Sequence, residues 1–140
     1  MRQPSPSLPS ASPADTLSRP RRVGLGFVFV WFLIGGLAHF IATEMEMRVV
    51  PPYIPWPHAA VWTSGVFELL GAAGLLYRTT RRAAGIGLIM LTVVVTPVHL
   101  YMLQRPELFG FPYWALLLRL LLQVALLGLI AWSTLRRDSA

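Results

Sequence analysis

An all-α fold, a polytopic membrane protein built as an antiparallel bundle of four transmembrane helices, is predicted by three features of this sequence. Four apolar segments, residues 23–42, 59–77, 83–102 and 113–135, each run for about 20 residues, the length that crosses about 30 Å of hydrocarbon. Only short stretches separate them, so consecutive helices must turn back on one another. The basic residues alternate from one side to the other: Arg19, Arg21 and Arg22 precede the first span, Arg78, Arg81 and Arg82 join the second to the third, and Arg136 and Arg137 follow the fourth. The opposite loops hold Arg48 and Arg105 alone, and by the positive-inside rule both termini are cytoplasmic.

With 140 residues and 55% hydrophobic content the chain has room for one bundle, residues 19–137, and for no separate soluble catalytic domain. All twelve basic side chains are Arg, and the net charge of +6 follows from membrane orientation and contact with anionic lipid heads. No aromatic-interleaved basic patch points to nucleic acid. Cysteine is absent, which excludes thiolate catalysis, disulfide exchange and cysteine-ligated iron–sulfur clusters for this chain alone.

Residues 1–18 interleave Pro4, Pro6, Pro9 and Pro13 with Ser5, Ser7, Ser10 and Ser12, a composition that packs no core and reads as a disordered cytoplasmic tail. Arg21 and Arg22 ahead of an apolar run resemble a secretory or twin-arginine signal. The run is long enough to span, however, and no small-residue cleavage site follows, so a retained first helix is expected. Between the first two spans, four prolines fall within residues 51–57, which forbids helix and favours extended polyproline-like backbone, with Tyr53 and Trp56 at the membrane interface. That segment is read as a stiff interfacial connector, or else as a lid over the bundle mouth. Residues 78–82 form a tight turn, and Phe111, Pro112, Tyr113 and Trp114 give the last span an interfacial start.

Each span carries a strongly polar residue: His39, Glu68, His99, and the pair Arg119 and Gln123. A charge in the bilayer costs roughly 3 kcal/mol on insertion scales, so such residues face a bundle interior and pair with something. Glu68 lies on a strip of small residues with Ser64, Gly65, Gly71 and Ala72, and His39 lies among Gly35, Gly36, Ala42 and Thr43. Thr92, Thr96 and His99 share a face, with Pro97 freeing a backbone carbonyl for another donor; Arg119 and Gln123, four apart, share another. At about 1.5 Å per residue, His39 and His99 lie roughly 5 Å below the outer helix ends, Arg119 roughly 9 Å below, and Glu68 near mid-membrane. The expected site therefore opens outward, with a charge-assisted contact between Glu68 and Arg119.

Each of these residues also has a purely structural reading. Glu68 and Arg119 can be an ion pair that fixes helix register. His39 and His99 can be interfacial side chains bonded to carbonyls or water, and His58 an interface residue among prolines. Two histidines at similar depth raise metal ligation or bis-histidine haem, but no His-x-x-His or Glu-x-x-His motif supports either, and no metal is assigned. Met45, Met47, Met90 and Met102 share no regular face, against a copper array. Phosphate-binding loops, nucleophile elbows and catalytic triads are missing.

The ordered series Gly36-Leu-Ala-His39-Phe40, Val50-Pro-Pro-Tyr-Ile-Pro55, Ser64-Gly-Val-Phe-Glu68-Leu-Leu-Gly71, Gly74-Leu-Leu, Thr80-Arg-Arg-Ala-Ala84, Pro97-Val-His99-Leu-Tyr-Met102 and Arg119-Leu-Leu-Leu-Gln123 resembles the DoxX-like small integral membrane proteins of bacteria, over about residues 25–132. Two departures stand out. Family members often have Pro-Ala-Asn where this chain has Pro97, Val98 and His99, which speaks against a general metal-ligand role for His99, and a proline where this chain has Leu121. The resemblance implies a bacterial inner-membrane location. The broader group includes a membrane subunit of thiosulfate:quinone oxidoreductase and other companions of membrane oxidoreductases, so an oxidoreductase partner is implied as well; the family name itself confers no activity.

Three functions follow as expectations. The first is an accessory of a membrane redox or stress-response system whose polar pocket binds a quinone-like or small anionic ligand. Arg119 and Gln123 would hold its head, Glu68 would handle a proton, and His39 and His99 would line the entrance. The second is a small isomerase- or cyclase-type enzyme with Glu68 as general acid on a lipophilic substrate. The third is a purely structural assembly subunit. Transport is disfavoured because one bundle shows no inverted repeat, although a homo-oligomer would supply a second half.

Overall fold

The computed structural model describes residues 17–136, and the reading of residues 1–16 as a disordered tail lies outside the described residues. Helix α1 spans Arg19–Ile41, with Pro20 in its first turn, where a missing N–H costs nothing. It starts at Arg19 rather than at Val23, because arginine is a good helix former and hydropathy marks only where the lipid begins. Thr43 ends it by donating its hydroxyl to the carbonyls of His39 (2.7 Å) and Phe40 (3.2 Å). The five-residue helix α2, Thr43–Met47, follows at once.

The proline-rich stretch is non-helical, as its composition requires, but it is folded into turns rather than one extended strand. The Ile54 N–H donates to the Pro51 carbonyl at 3.0 Å, a β-turn with Pro52 at its first central position, where proline's fixed φ belongs. Pro51 is fully buried while Tyr53 and Trp56 are exposed, so one proline anchors the connector to the bundle. Helix α3, Pro57–Leu76, then returns across the bundle. The turn after it is closed by side chains: Thr80 Oγ1 donates to the Gly74 carbonyl at 2.8 Å and Arg81 Nε to that of Leu75 at 3.1 Å. These bonds take up carbonyls that the last turn of a helix leaves without partners.

The third span, Arg81–Gln104, is divided into α4, Arg81–Val94, and α5, Thr96–Gln104. Pro97 accounts for the break, since it lacks an N–H and its ring crowds the carbonyl four residues back. A 3₁₀ turn at Pro106–Leu108 and Gly110, whose φ of +67° suits glycine, lead to α6, Tyr113–Thr134.

The long helices close a ring in which α1 packs on α3, α3 on α4, α4 and α5 on α6, and α6 back on α1. Their outward faces expose large apolar side chains such as Val23, Ile34, Phe67, Leu70 and Val124, as a lipid-facing surface does. The protein is a polytopic, all-α membrane protein with an antiparallel four-span bundle. Its core is not central. Val28, Phe32, Ala72, Leu75, Leu88, Leu126 and Ile130 come from the middle of α1, the end of α3, the first half of α4 and the second half of α6. They lie toward the end of the bundle where Arg19, Arg21, Arg22, Arg78, Arg81, Arg82 and Arg136 gather.

Candidate functional site

At the other end α1 and α6 stand apart. Residues 27, 30, 31, 34, 35 and 39 of α1 recur at helical spacing and form one face; residues 115, 118, 119, 122, 123 and 126 of α6 form another. A cavity of about 750 Å³ lies between these faces, with α3, α4 and α5 behind it. Its apolar walls include Phe27, Trp31, Leu118, Leu122 and Leu126. His39, Glu68, His99, Arg119 and Gln123 all line the same cavity. The five residues singled out from the sequence thus share one hollow.

Their pairing differs from the expected one. Glu68 meets His39: Oε1 is 3.3 Å from the ring Nε2. The contact between Glu68 and Arg119 is not formed. Two glycines explain the choice. A Cβ on Gly35 would fall 2.6 Å from Glu68 Oε2, and one on Gly65 would fall 2.8 Å from the Cβ of His39. Glycine at both positions brings α1 and α3 close enough for the short His39–Glu68 contact, whereas Arg119 stands on α6. Among the described residues Arg119 makes no hydrogen bond or ion pair, and it is exposed rather than enclosed in a sealed interior. His39 Nδ1 and His99 Nδ1 are buried without partners.

Gln123, 7% exposed, has the most constrained side chain of the five. Its Nε2 donates to the Thr92 carbonyl (2.9 Å) and to Thr96 Oγ1 (2.6 Å). Both donor hydrogens are thereby used, so the amide is tied across the break in the third span. The carbonyl that takes the outside donor is that of Thr92, whereas the one Pro97 leaves without its helical N–H, four residues back, is that of Val93. The acceptor Oε1 is buried without a well-aligned hydrogen bond, and the Gln123 side chain lies close enough to the His99 ring to interact with it.

Two further features were not legible beforehand. Glu46, from the short α2, also lines the cavity. The acidic pair Glu44 and Glu46 just past an apolar span was the available signal, but a five-residue helix has no periodicity to place it. The proline-rich connector supplies no wall to the cavity, so the lid reading of that segment has no support in its placement. His58 is exposed and lies against Trp62, the rings tilted by 39° with centroids 4.7 Å apart, at the start of α3. Among the described residues no group of three or more His, Asp or Glu side chains converges to hold a metal ion.

The family model described as Domain of unknown function (DUF8561) matches residues 28–136, which takes in the cavity and all five polar residues. The chain belongs to that family. No curated protein and no solved structure matches it. For this DUF8561 member the chemistry must therefore be read from the cavity itself. A carboxylate beside an imidazole can exchange a proton, a guanidinium can hold an acceptor-bearing head group, and an apolar slot can hold a tail.

Proposed function

We propose that the protein is a membrane-embedded binding protein for a small amphipathic ligand dissolved in the bilayer, quinone-like or anionic, and that it serves as an accessory of a bacterial inner-membrane redox or stress-response system. The observation that carries this reading is the side opening of the cavity. Exposed Trp31 and Ile34 of α1 and exposed Leu118 and Leu122 of α6 border it, so a ligand reaches the polar groups sideways from the acyl chains. The tail lies along Phe27 and Leu126, and the head meets Arg119, Gln123 and the two histidines. The arginine clusters support cytoplasmic termini by the positive-inside rule, which turns the polar end of the slot to the outer leaflet. The DoxX-like motif series supports the accessory role beside an oxidoreductase.

The test fills the slot. Protein purified in a mild detergent is extracted, and the bound lipophilic compounds are identified by mass spectrometry, for wild type and for Leu122→Trp. The wild type is expected to carry one amphiphile in near-stoichiometric amount, and the filled variant, equally well folded, to carry little. Equal recovery from both sinks the proposal.

A second reading is favoured by the His39–Glu68 contact, across which a proton can pass between imidazole and carboxyl. In it the same cavity is the site of an isomerase- or cyclase-type enzyme acting on a lipophilic substrate.

A further inference from the structure

The polar lining of the cavity is divided between two walls. On α1 and α3, His39 and Glu68 hold one another at 3.3 Å. On α6, Arg119 has no hydrogen bond or ion pair among the described residues. A guanidinium is a permanent cation, and one placed about 9 Å along a membrane-spanning helix is costly without an anion nearby. Of the two acidic side chains that line the same cavity, Glu46 and Glu68, the latter is engaged with His39. Gln123, one helical turn farther from the start of α6, offers only a buried acceptor oxygen, because both of its amide hydrogens are committed to Thr92 and Thr96. Gln123 therefore has no free donor for an anionic head, which leaves Arg119 as its seat.

Size narrows the ligand further. At roughly 30 Å³ per water-sized group, a cavity of about 750 Å³ accommodates about 25 non-hydrogen atoms. One long chain with a small head fills it, whereas the second chain of a bilayer lipid would stay outside among the acyl chains. The α1 face from Phe27 to His39 is about 18 Å long, which suits a chain laid along it. Glu46 and Glu68 set a limit on charge, since a doubly charged phosphate monoester would face two carboxylates where a monoanion faces the same pair with half the repulsion.

We propose that the ligand is a single-chain amphiphile with a monoanionic carboxylate head, of the long-chain fatty-acid type, with its head on Arg119 and its tail along Phe27, Trp31 and Leu126. This rests on the reading of the cavity as a ligand site and adds the charge and shape of the occupant. Arg119 donates two parallel N–H bonds to the carboxylate, a geometry that a hydroxyl or a quinone carbonyl cannot fill.

The test uses the full chain in nanodiscs of zwitterionic lipid, with a brominated stearate as quencher of tryptophan fluorescence. Saturable quenching is expected in the wild type, with its saturable part lost in Trp31→Phe. Unlabelled competitors are palmitate, hexadecanol, a short-chain benzoquinone and a lysophospholipid. Palmitate is expected to compete at least tenfold better than the others, the worth of one charge-assisted pair. Arg119→Gln is expected to remove that advantage while leaving hexadecanol competition unchanged, and Arg119→Lys to recover part of it. Arg119 touches no other described side chain through a polar bond, so its variants keep the fold. If the quinone, the alcohol or the lysophospholipid competes as well as palmitate, or if Arg119→Gln changes nothing, the carboxylate inference is overturned and the binding reading stands. If no amphiphile gives saturable quenching at Trp31, the binding reading falls and the inference with it.

Discussion

Helices α1 and α6 meet twice, in two different ways. Near the N-terminus of α1 the contact is sealed: Gly24 lies against Leu129 and Trp132, Arg21 donates to the Ser133 carbonyl at 3.2 Å, and Val28 and Ile130 are at 0% exposure. A dozen residues along, the same two helices face one another across a cavity of about 750 Å³. Both ends are rich in Leu, Val and aromatic residues, so apolar content does not separate them. What separates them is residue size and cross-helix bonding. The sealed end has Gly24, Gly85, Ser133 and Thr134; the open end has Trp31, Ile34, Leu118 and Leu122. In hydrocarbon, Leu against lipid is as comfortable as Leu against protein, and close contact forms only where small residues and polar links favour it. An apolar slot that water would force shut can therefore stay open in a bilayer.

The largest effects are expected at the sealed end. A Cβ on Gly85 meets the hydroxyl and Cβ of Thr134, so Gly85→Leu forces α4 from α6 and is expected to cost about 3 kcal/mol. Thermal unfolding in detergent and proteolysis of the purified protein would reveal this as loss of a folded population. Ile130→Ala, which empties a fully buried position, is expected to cost about 2 kcal/mol, the low end for such truncations because the transfer term from water is missing in lipid. Leu122→Ala at the open end removes a side chain that borders an existing void, and a change within about 0.5 kcal/mol is expected. Comparable losses for Ile130→Ala and Leu122→Ala would erase the contrast between the two ends.

Gln123→Leu is expected to have an intermediate effect. It removes two bonds across the break in the third span and leaves the Thr92 carbonyl with the Thr96 hydroxyl as its remaining side-chain donor. Interhelical bonds of this kind in membranes are worth about 0.6 kcal/mol each, so a loss of about 1 kcal/mol is expected. The same variant should increase amide hydrogen exchange around Val95, at the break, and not in α3. Uniform exchange changes through the bundle would show that the amide acts on global stability rather than on the break.

The two ends were also unequally legible in the sequence. All four spans could be read from composition, because a length of about 20 apolar residues is dictated by the bilayer. The convergence of His39, Glu68, His99, Arg119 and Gln123 was legible as well, since polar groups in hydrocarbon have few places to go. The pairing among them was not. Helical spacing says which face a residue occupies but not which neighbour comes closest, and the deciding feature, the close approach of α1 and α3 at Gly35 and Gly65, depends on both helices at once. The slot itself was invisible for a related reason: Leu118 and Leu122 read identically whether they face lipid, protein or a void. The off-centre core could be inferred only after the small residues of the sealed end were seen to face one another.

Glu68→Gln is expected to change stability as little as Leu122→Ala does, and it bears most on what the open end does. The substitution is nearly isosteric, and a Gln amide can still donate to or accept from His39 at the observed 3.3 Å, so unfolding should shift by no more than about 0.5 kcal/mol. Ligand recovery should persist if Glu68 stands opposite the head group and serves mainly to exchange a proton, while any turnover of a lipophilic substrate should fall by 10²-fold or more, the usual worth of a positioned acid. A variant that folds but carries no ligand would move Glu68 from proton handling to holding the head. Collapse of the bundle would instead assign the His39–Glu68 pair to helix register, with the open end as much a packing feature as the sealed one.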